Sequence, residues 1–265
     1  MKTNHKLSIM QLALTGLCGV VLAVHRHLAA PTGAALFLVA LAAAVVVTLG
    51  AVGVERTRRK MQLKPARMDK GGFALLTGAG FLFLLAAGFT FPQHDLGTLL
   101  KMVSALFAAA CGAVTLLRLR LRDRGEMAAV YTLVPVFYLS FYLLIFYRSN
   151  GNNPLLSRFG YEVAVLLVML MGVYASVAGR FEKIRPWFRP VCCSLGILLA
   201  VQELCYLLLA PSQVLTIPGF SPATAATLAA SILLLCCGVC YPPVRDVFPI
   251  VEEEKAEDDT DFEEE

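Results

Sequence analysis

The sequence predicts an all-α integral membrane protein, folded as a polytopic bundle of about eight transmembrane helices. Of its 265 residues, 58% are hydrophobic and only 16% are charged, and the mean hydropathy is +0.70. The charged residues also cluster between long uncharged runs. A soluble domain of this length needs a more polar surface, because its outside faces water. None of the runs alternates as barrel strands do, and lipid cannot satisfy an open strand, so the runs are predicted to be helices.

Eight apolar runs are long enough to cross a bilayer. Roughly 20 mostly apolar residues span about 30 Å of hydrocarbon as a helix. The predicted spans are Leu7–Val24, Gly33–Val54, Gly72–Phe91, Thr98–Leu117, Met127–Tyr147, Gly160–Gly179, Pro190–Ala210 and Ala223–Tyr241. These spans make residues 1–241 a single transmembrane helical domain.

The first span has one alternative interpretation. Lys2 and Lys6 precede the apolar run, as basic residues do in a signal peptide. The run is longer than an ordinary signal core, and His25-Arg26-His27 follows it without a small-x-small cleavage site. We therefore expect the span to stay uncleaved, with cleavage as the alternative.

The basic residues predict the orientation. If the N-terminus is cytoplasmic, all but four of the 23 Lys and Arg residues fall at the inner side of the spans. The exceptions are Arg26, Lys101, Arg148 and Arg158. Because short connections rich in Lys and Arg stay in the cytoplasm, both termini are predicted to be cytoplasmic.

A weak repeat occurs in the even-numbered spans. Each carries a glycine near its inner end, followed by an arginine six to eight residues later. The glycines are Gly50, Gly112, Gly172 and Gly238. The pattern fits four helical hairpins, and chance is the alternative because glycine is common in membrane helices.

The fifth span is rich in aromatic residues. Tyr131, Tyr138 and Tyr142 fall at helical spacing around Pro135, which interrupts the backbone hydrogen bonds and favours a kink. This spacing predicts a cavity lined by hydroxyl groups, with ordinary packing as the alternative.

Glu203 is the strongest candidate for a functional residue. A carboxylate within a span costs about 2.5–3.5 kcal/mol on insertion scales, so it should face a partner or a wet cavity. Other polar residues lie at a depth similar to that of Glu203 in the predicted spans. We therefore predict a substrate- or ion-binding site that consists of Glu203, Gln202, Lys101, Glu162 and Tyr138. In this hypothesis Lys101 pairs with Glu203. The alternatives are a purely structural glutamate and a lysine that extends to the headgroups.

The C-terminal residues 242–265 are predicted to be a disordered acidic cytoplasmic tail. Pro242 and Pro243 end the last helix, and Glu252–Glu265 contains ten acids and one lysine. The tail offers a docking segment for a protein partner or for the basic inner loops. A solvated tail without a partner is the alternative.

The cysteines and histidines are weaker candidates for metal sites. Cys237-x-x-Cys240 has a metal-ligand or redox spacing. At the outer side, His25, His27 and His94 map near Asp95. Cysteine also packs well between helices, so we expect no metal and no cofactor.

The sequence favours a small-solute or ion transporter, or a permease-like component, that uses Glu203. No metalloprotease, nucleophile-elbow or Walker motif is present, so no enzyme is predicted, and a lipid-modifying enzyme is least favoured. The alternative is a non-transporting sensor, regulator or assembly partner. The expected partners are anionic lipid headgroups at the basic inner loops, not nucleic acid. Short loops and the lack of glycosylation sequons favour a multi-pass protein of a bacterial cytoplasmic membrane.

Overall fold

The structure, a computed structural model, is helical throughout the residues that it describes. These residues are 2–28, 33–61, 68–91, 98–120, 125–150, 156–178, 181, 185, 187–209 and 222–241. They form eight helices, and no strand occurs among them. The predicted tail, residues 242–265, lies outside the described residues, as do His94 and Asp95.

The eight helices correspond one to one with the predicted apolar runs. They are α1 (Lys2–Leu28), α2 (Gly33–Lys60), α3 (Lys70–Thr90), α4 (Thr98–Arg120), α5 (Gly125–Asn150), α6 (Leu156–Ala178), α7 (Phe188–Leu209) and α8 (Pro222–Cys240). All except α6 contain a stretch that is long and apolar enough to cross a membrane. The apolar part of α6, Glu162–Ala178, is shorter. Seven such helices suggest a multi-pass membrane protein.

Several helices extend beyond the apolar runs by a charged turn. In α2 the helix continues past Val54 to Lys60. Glu55 lies 3.7 Å from both Arg58 and Arg59, at the spacing of one helical turn. Basic side chains also interact favourably with the C-terminal end of a helix dipole. The apolar run therefore underestimates the length of the helix.

Hydrogen bonds between distant residues show that α1 and α2, and likewise α3 and α8, run in opposite directions. Arg58, near the end of α2, donates to Ser8, near the start of α1. Tyr241, just after α8, donates to Asp69, just before α3. These residues mark one end of the bundle, which we call the basic end. The opposite end, which contains Glu162 on α6 and the C-terminal part of α7, is called the carboxylate end.

Helices α7 and α8 form the centre of the bundle. In their apolar stretches 61% and 67% of the residues are buried, against 17% in α2. Helix α7 contacts α1, α2, α6 and α8, whereas α4 contacts only α3 and α5 among the described residues. The outward faces of the peripheral helices are apolar. On α2 the exposed residues include Leu38, Leu41, Val45 and Leu49.

The four glycines of the sequence pattern all lie at contacts between helices. A Cβ on Gly112 would lie 2.8 Å from the backbone oxygen of Gly80 on α3. A Cβ on Gly172 would lie 2.9 Å from the backbone oxygen of Cys192 on α7. Gly50 faces a leucine of α1, whereas Gly238 faces α6. Consecutive helices do pack as pairs, but the glycines face different partners, so close packing explains them better than a repeat.

A hydrogen-bonded pair joins the start of α3 to the end of α8 at the basic end. The Asp69 carboxylate accepts from the Tyr241 hydroxyl and, 3.1 Å away, from the backbone N–H of Gly72, which caps α3. The Tyr241 hydrogen bond lowers the pKa of Asp69 below its ordinary value. Burial and the adjacent carboxylate raise the pKa of Tyr241. At neutral pH the Tyr241 hydroxyl therefore keeps its proton and donates it in a hydrogen bond to the charged Asp69 carboxylate.

We expect Gly112→Ala to lower the free energy of unfolding by about 1–3 kcal/mol, because the added methyl group forces α3 and α4 apart. The matched control is Gly53→Ala, since a Cβ there meets nothing within 4 Å. That control should stabilise the helix by about 0.5–1 kcal/mol. Denaturant unfolding in mild detergent measures both, and equal effects would contradict the close α3–α4 contact.

We expect Tyr241→Phe to lower the free energy of unfolding by about 1 kcal/mol at neutral pH, because it removes one partly solvated hydrogen bond to a charged group. Because the pKa of Asp69 is lowered in the folded protein, this contribution is present above the unfolded pKa of about 3.9 and is lost as the pH falls through the folded value. The measurement is the free energy of unfolding of the wild type and of Tyr241→Phe across this pH range. A difference that persists in acid would show that the lost stability comes from packing.

Candidate functional site

Glu203 forms a buried ion pair with Arg26 at the carboxylate end. The Arg26 Nη1 atom lies 2.5 Å from Glu203 Oε2, and the side chains are only 9% and 3% exposed. The pair exists because α1 packs parallel to α7 at short range. A Cβ on Gly19 would lie 3.0 Å from the Leu198 backbone oxygen, so glycine permits this approach and brings Arg26 to the depth of Glu203.

Tyr206 completes the surroundings of Arg26. It follows Glu203 by one turn of α7, and its ring centroid lies 4.0 Å from the Arg26 Cζ atom. A guanidinium at this distance from an aromatic face gains a cation–π interaction, which is stronger where water is excluded. Arg26 is therefore held by a carboxylate and a ring from the same helix.

A second carboxylate, Glu162 of α6, lies at the same small cavity as Glu203. The cavity measures about 10 Å³, which is room for a single water molecule. Both glutamates are buried. The second carboxylate oxygen of Glu203, Oε1, has no hydrogen-bond partner among the described residues. The cavity lining consists of Phe146, Glu162, Val165, Leu166, Glu203, Thr224 and Leu228.

Hydroxyl groups continue from this cavity into the bundle between α5 and α8. The Tyr142 and Thr224 hydroxyls lie 2.6 Å apart, and one turn deeper the Tyr138 and Thr227 hydroxyls lie 2.9 Å apart. Ser231 follows on the same face of α8 and donates to the backbone oxygen of Thr227. The Tyr138 and Tyr142 side chains are buried and their hydroxyls bond to threonines of α8, whereas Tyr131 is half-buried, and none of the three lines this cavity or the one nearer the basic end.

A second cavity lies nearer the basic end, at the level of Pro135. Its volume is about 40 Å³, room for roughly three water molecules. Polar side chains in its lining include Arg118, Thr132, Ser176 and Tyr241. Tyr138 lies between the levels of the two cavities and packs edge-on against Phe83, with ring centroids 5.5 Å apart. A pair of buried aromatic side chains therefore lies between the levels of these two cavities.

The pairing of Lys101 with Glu203 is wrong. Lys101 is exposed on α4, and α4 does not contact α7 in the described part of the chain. Lys101 and Glu203 have a similar depth along their predicted spans, but they lie on helices that do not meet. The salt-bridge partner of Glu203 is Arg26. Of the other predicted site residues, Glu162 lines the Glu203 cavity, Tyr138 lies deeper on the hydroxyl path, and Gln202 is buried beside Glu203 in α7.

Sequence reasoning missed Arg26, Tyr206 and Thr224. Arg26 did leave a signal, because it is one of few basic residues at the outer ends of the predicted spans. Such a residue opposes the usual charge distribution and needs a specific reason. Tyr206 and Thr224 carried no signal in the sequence that separated them from ordinary helix residues.

No metal-binding cluster of three or more His, Cys, Asp or Glu side chains occurs among the described residues. All eight cysteines are free thiols. Cys193 has a packing role, because its Sγ atom lies 3.5 Å from the Gly172 backbone oxygen and donates to it across the α6–α7 contact.

The fold and this site define an all-helical protein with seven helices apolar and long enough to cross a membrane, and with a buried ion pair at one end. Comparison of the chain with protein-family models, with curated proteins and with solved structures finds no match.

We expect Arg26→Gln and Glu203→Gln each to cost about 3–5 kcal/mol of unfolding free energy, because each leaves a buried charge without its partner. The double variant should cost much less than the sum of the two. Lys101→Gln, at an exposed position, is the control and should stay within about 0.5 kcal/mol. Additive losses in a denaturant-unfolding cycle would contradict the pairing.

Proposed function

We propose that this chain is a multi-pass membrane protein that transports an ion or a small solute by binding a proton or a small cation between Glu203 and Glu162. The observation that carries the proposal is that two buried carboxylates line one cavity, where Arg26 provides a salt-bridge partner to one of them. The site residues are Glu203, Glu162 and Arg26, with Tyr142 and Tyr138 continuing the polar path.

Membrane insertion is supported by the distribution of polarity. Large apolar side chains cover the outside, whereas polar residues such as Gln11, Thr15, Gln202 and Thr227 are buried inside. Helix α6 has 23 residues, or about 34 Å at 1.5 Å per residue. That length is enough for an eighth span.

The orientation follows from the basic residues. The basic end carries most of the described Lys and Arg residues, and Arg26, Lys101 and Arg148 are at the other end. Under the positive-inside rule the basic end faces the cytoplasm. Both termini then lie in the cytoplasm, and a bacterial cytoplasmic membrane is the proposed location.

The presence of two carboxylates at one cavity favours uptake of a cation or a proton. Each carboxylate disfavours the charged form of the other, so a proton shared by them, or a small cation between them, relieves the repulsion. Other titratable or charged groups towards this end include His25 of α1, Arg148 of α5 and Arg158, which precedes Glu162 by four residues in α6, whereas α8 contributes the neutral Thr224.

The two cavities are consistent with a closed state of a transporter. One cavity lies towards each end of the bundle, and the Tyr138–Phe83 pair separates them. Transport then requires a movement that opens the site first to one side and then to the other. The hydroxyl pairs between α5 and α8 provide polar groups along that path.

A second candidate is a non-transporting sensor, regulator or assembly partner. The observation in its favour is that Arg26, which also lies over the Tyr206 ring, pairs with the Glu203 carboxylate next to a cavity of only about 10 Å³. In that case the ion pair fixes α1 against α7, and the chain acts through a protein partner.

Flux into proteoliposomes tests the proposal. The full chain is reconstituted into vesicles that contain a dye sensitive to protons, to Na⁺ or to K⁺, and the gradient of the matching ion is applied to each preparation. We expect wild-type flux above empty vesicles for one of these ions. Glu203→Gln and Glu162→Gln should reduce the flux to background, while Lys101→Gln retains it.

Reconstitution of each variant is checked by its elution volume and by its amount in the vesicles. Wild-type flux equal to that of empty vesicles for all three ions would contradict the proposal and favour the partner role. Flux that persists in both glutamate variants would show that transport, if it occurs, does not use this site.

A further inference from the structure

Arg58 is a buried guanidinium at the basic end. It lies in the last turns of α2 and is 7% exposed. Its Nη2 atom lies 2.5 Å from the Ser8 Oγ atom, and its Nη1 atom lies 3.7 Å from Glu55 Oε2. Its Nε–H group has no acceptor among the described residues. The side chain therefore has an unused donor in a region that excludes water.

Arg189 brings a second guanidinium to the same place. Gln11 of α1 donates to the Pro190 backbone oxygen at 3.4 Å and to Ser194 Oγ at 2.7 Å. Ser8, the partner of Arg58, precedes Gln11 by one helical turn and lies on the same face of α1. Helix α1 therefore contacts α2 through Ser8 and α7 through Gln11, one turn apart on the same face, and Arg189 immediately precedes Pro190 in α7. Glu55 and Arg58 lie within electrostatic range of Arg189.

The cluster has more positive than negative charge. Arg58 and Arg59 each lie 3.7 Å from the Glu55 carboxylate, and Arg189 is within electrostatic range of that carboxylate. The Nε–H group of Arg189 also has no acceptor in the described part of the chain. Arg189 is the second residue of α7, so the positive end of that helix dipole adds to the field. Two partly buried guanidiniums repel each other unless an anion lies between them.

We propose that Arg58 and Arg189 bind a phosphate group between α1, α2 and α7 at the basic end. A phosphate offers several acceptor oxygens, which match the planar donors of two guanidiniums. Arg59, whose side chain is 54% exposed, marks the level at which the cluster meets water. The headgroup phosphate of an anionic lipid lies at that level of a bilayer. The inference is independent of transport through Glu203.

Thermal unfolding of the full chain in an uncharged detergent tests the site. Phosphatidylglycerol, phosphatidylcholine and inorganic phosphate are titrated separately into the wild type, Arg189→Gln and Arg120→Gln. Arg120 is an exposed basic residue at the same end of the bundle, on α4, and serves as the matched control. Ligands that bind the folded protein raise the unfolding temperature according to concentration and affinity.

We expect phosphatidylglycerol to stabilise the wild type and Arg120→Gln equally. Its apparent affinity for Arg189→Gln should be roughly tenfold weaker, as expected for the loss of one charge-assisted hydrogen bond. Stabilisation by inorganic phosphate with the same dependence on Arg189 would assign the site to a soluble phosphate instead.

If Arg189→Gln does not fold, Arg189→Lys replaces it. That variant keeps the charge but loses the planar fork, so it should bind phosphatidylglycerol less tightly than wild type. The proposal is overturned if neither phosphate source stabilises the wild type. It is also overturned if the Arg189 variants respond as the wild type does.

Discussion

A carboxylate inside an apolar bundle must have a partner of opposite charge or give up its own charge. Glu203 meets this requirement through Arg26, which lies 177 residues away in the sequence and reaches it only because α1 packs against α7 at Gly19. The cost of separating such a pair in a medium of low dielectric is several kcal/mol. This interaction therefore fixes the position of the first helix relative to α7, at the level of the cavity that Glu162 also lines.

The two proposed sites contain different sets of charged groups. At the carboxylate end, Glu203 and Glu162 line one cavity, and Arg26 pairs with Glu203. At the basic end, Arg58 and Arg59 lie beside Glu55, and Arg189 is within electrostatic range of Glu55 and Arg58. Between these ends the interior is mostly apolar and aromatic, with Tyr138 and Phe83 in contact. A proton or cation suits the first site, whereas an anion such as phosphate suits the second.

The sequence predicted most of the fold but less of the site. Apolar runs determine the helices because backbone groups in lipid must be satisfied within each segment, and Glu203 was evident because a charge there is costly. Its partner was not evident, because depth along a span does not determine which helices pack together. Lys101 has a suitable depth but lies on α4, away from α7. The pairs Tyr138–Thr227 and Tyr142–Thr224 likewise depend on helix packing that no local pattern specifies.

The central proposal is that Glu203 and Glu162 share a proton or a cation at one cavity. Infrared difference spectroscopy of the reconstituted protein between neutral and acidic pH measures a shared proton directly, through the C=O stretch of a protonated carboxylic acid. The account predicts a buried carboxyl band that grows as the pH falls and that changes in both Glu203→Gln and Glu162→Gln, because each substitution removes one of the two carboxylates at the cavity. A band of unchanged size in either variant would contradict a shared site.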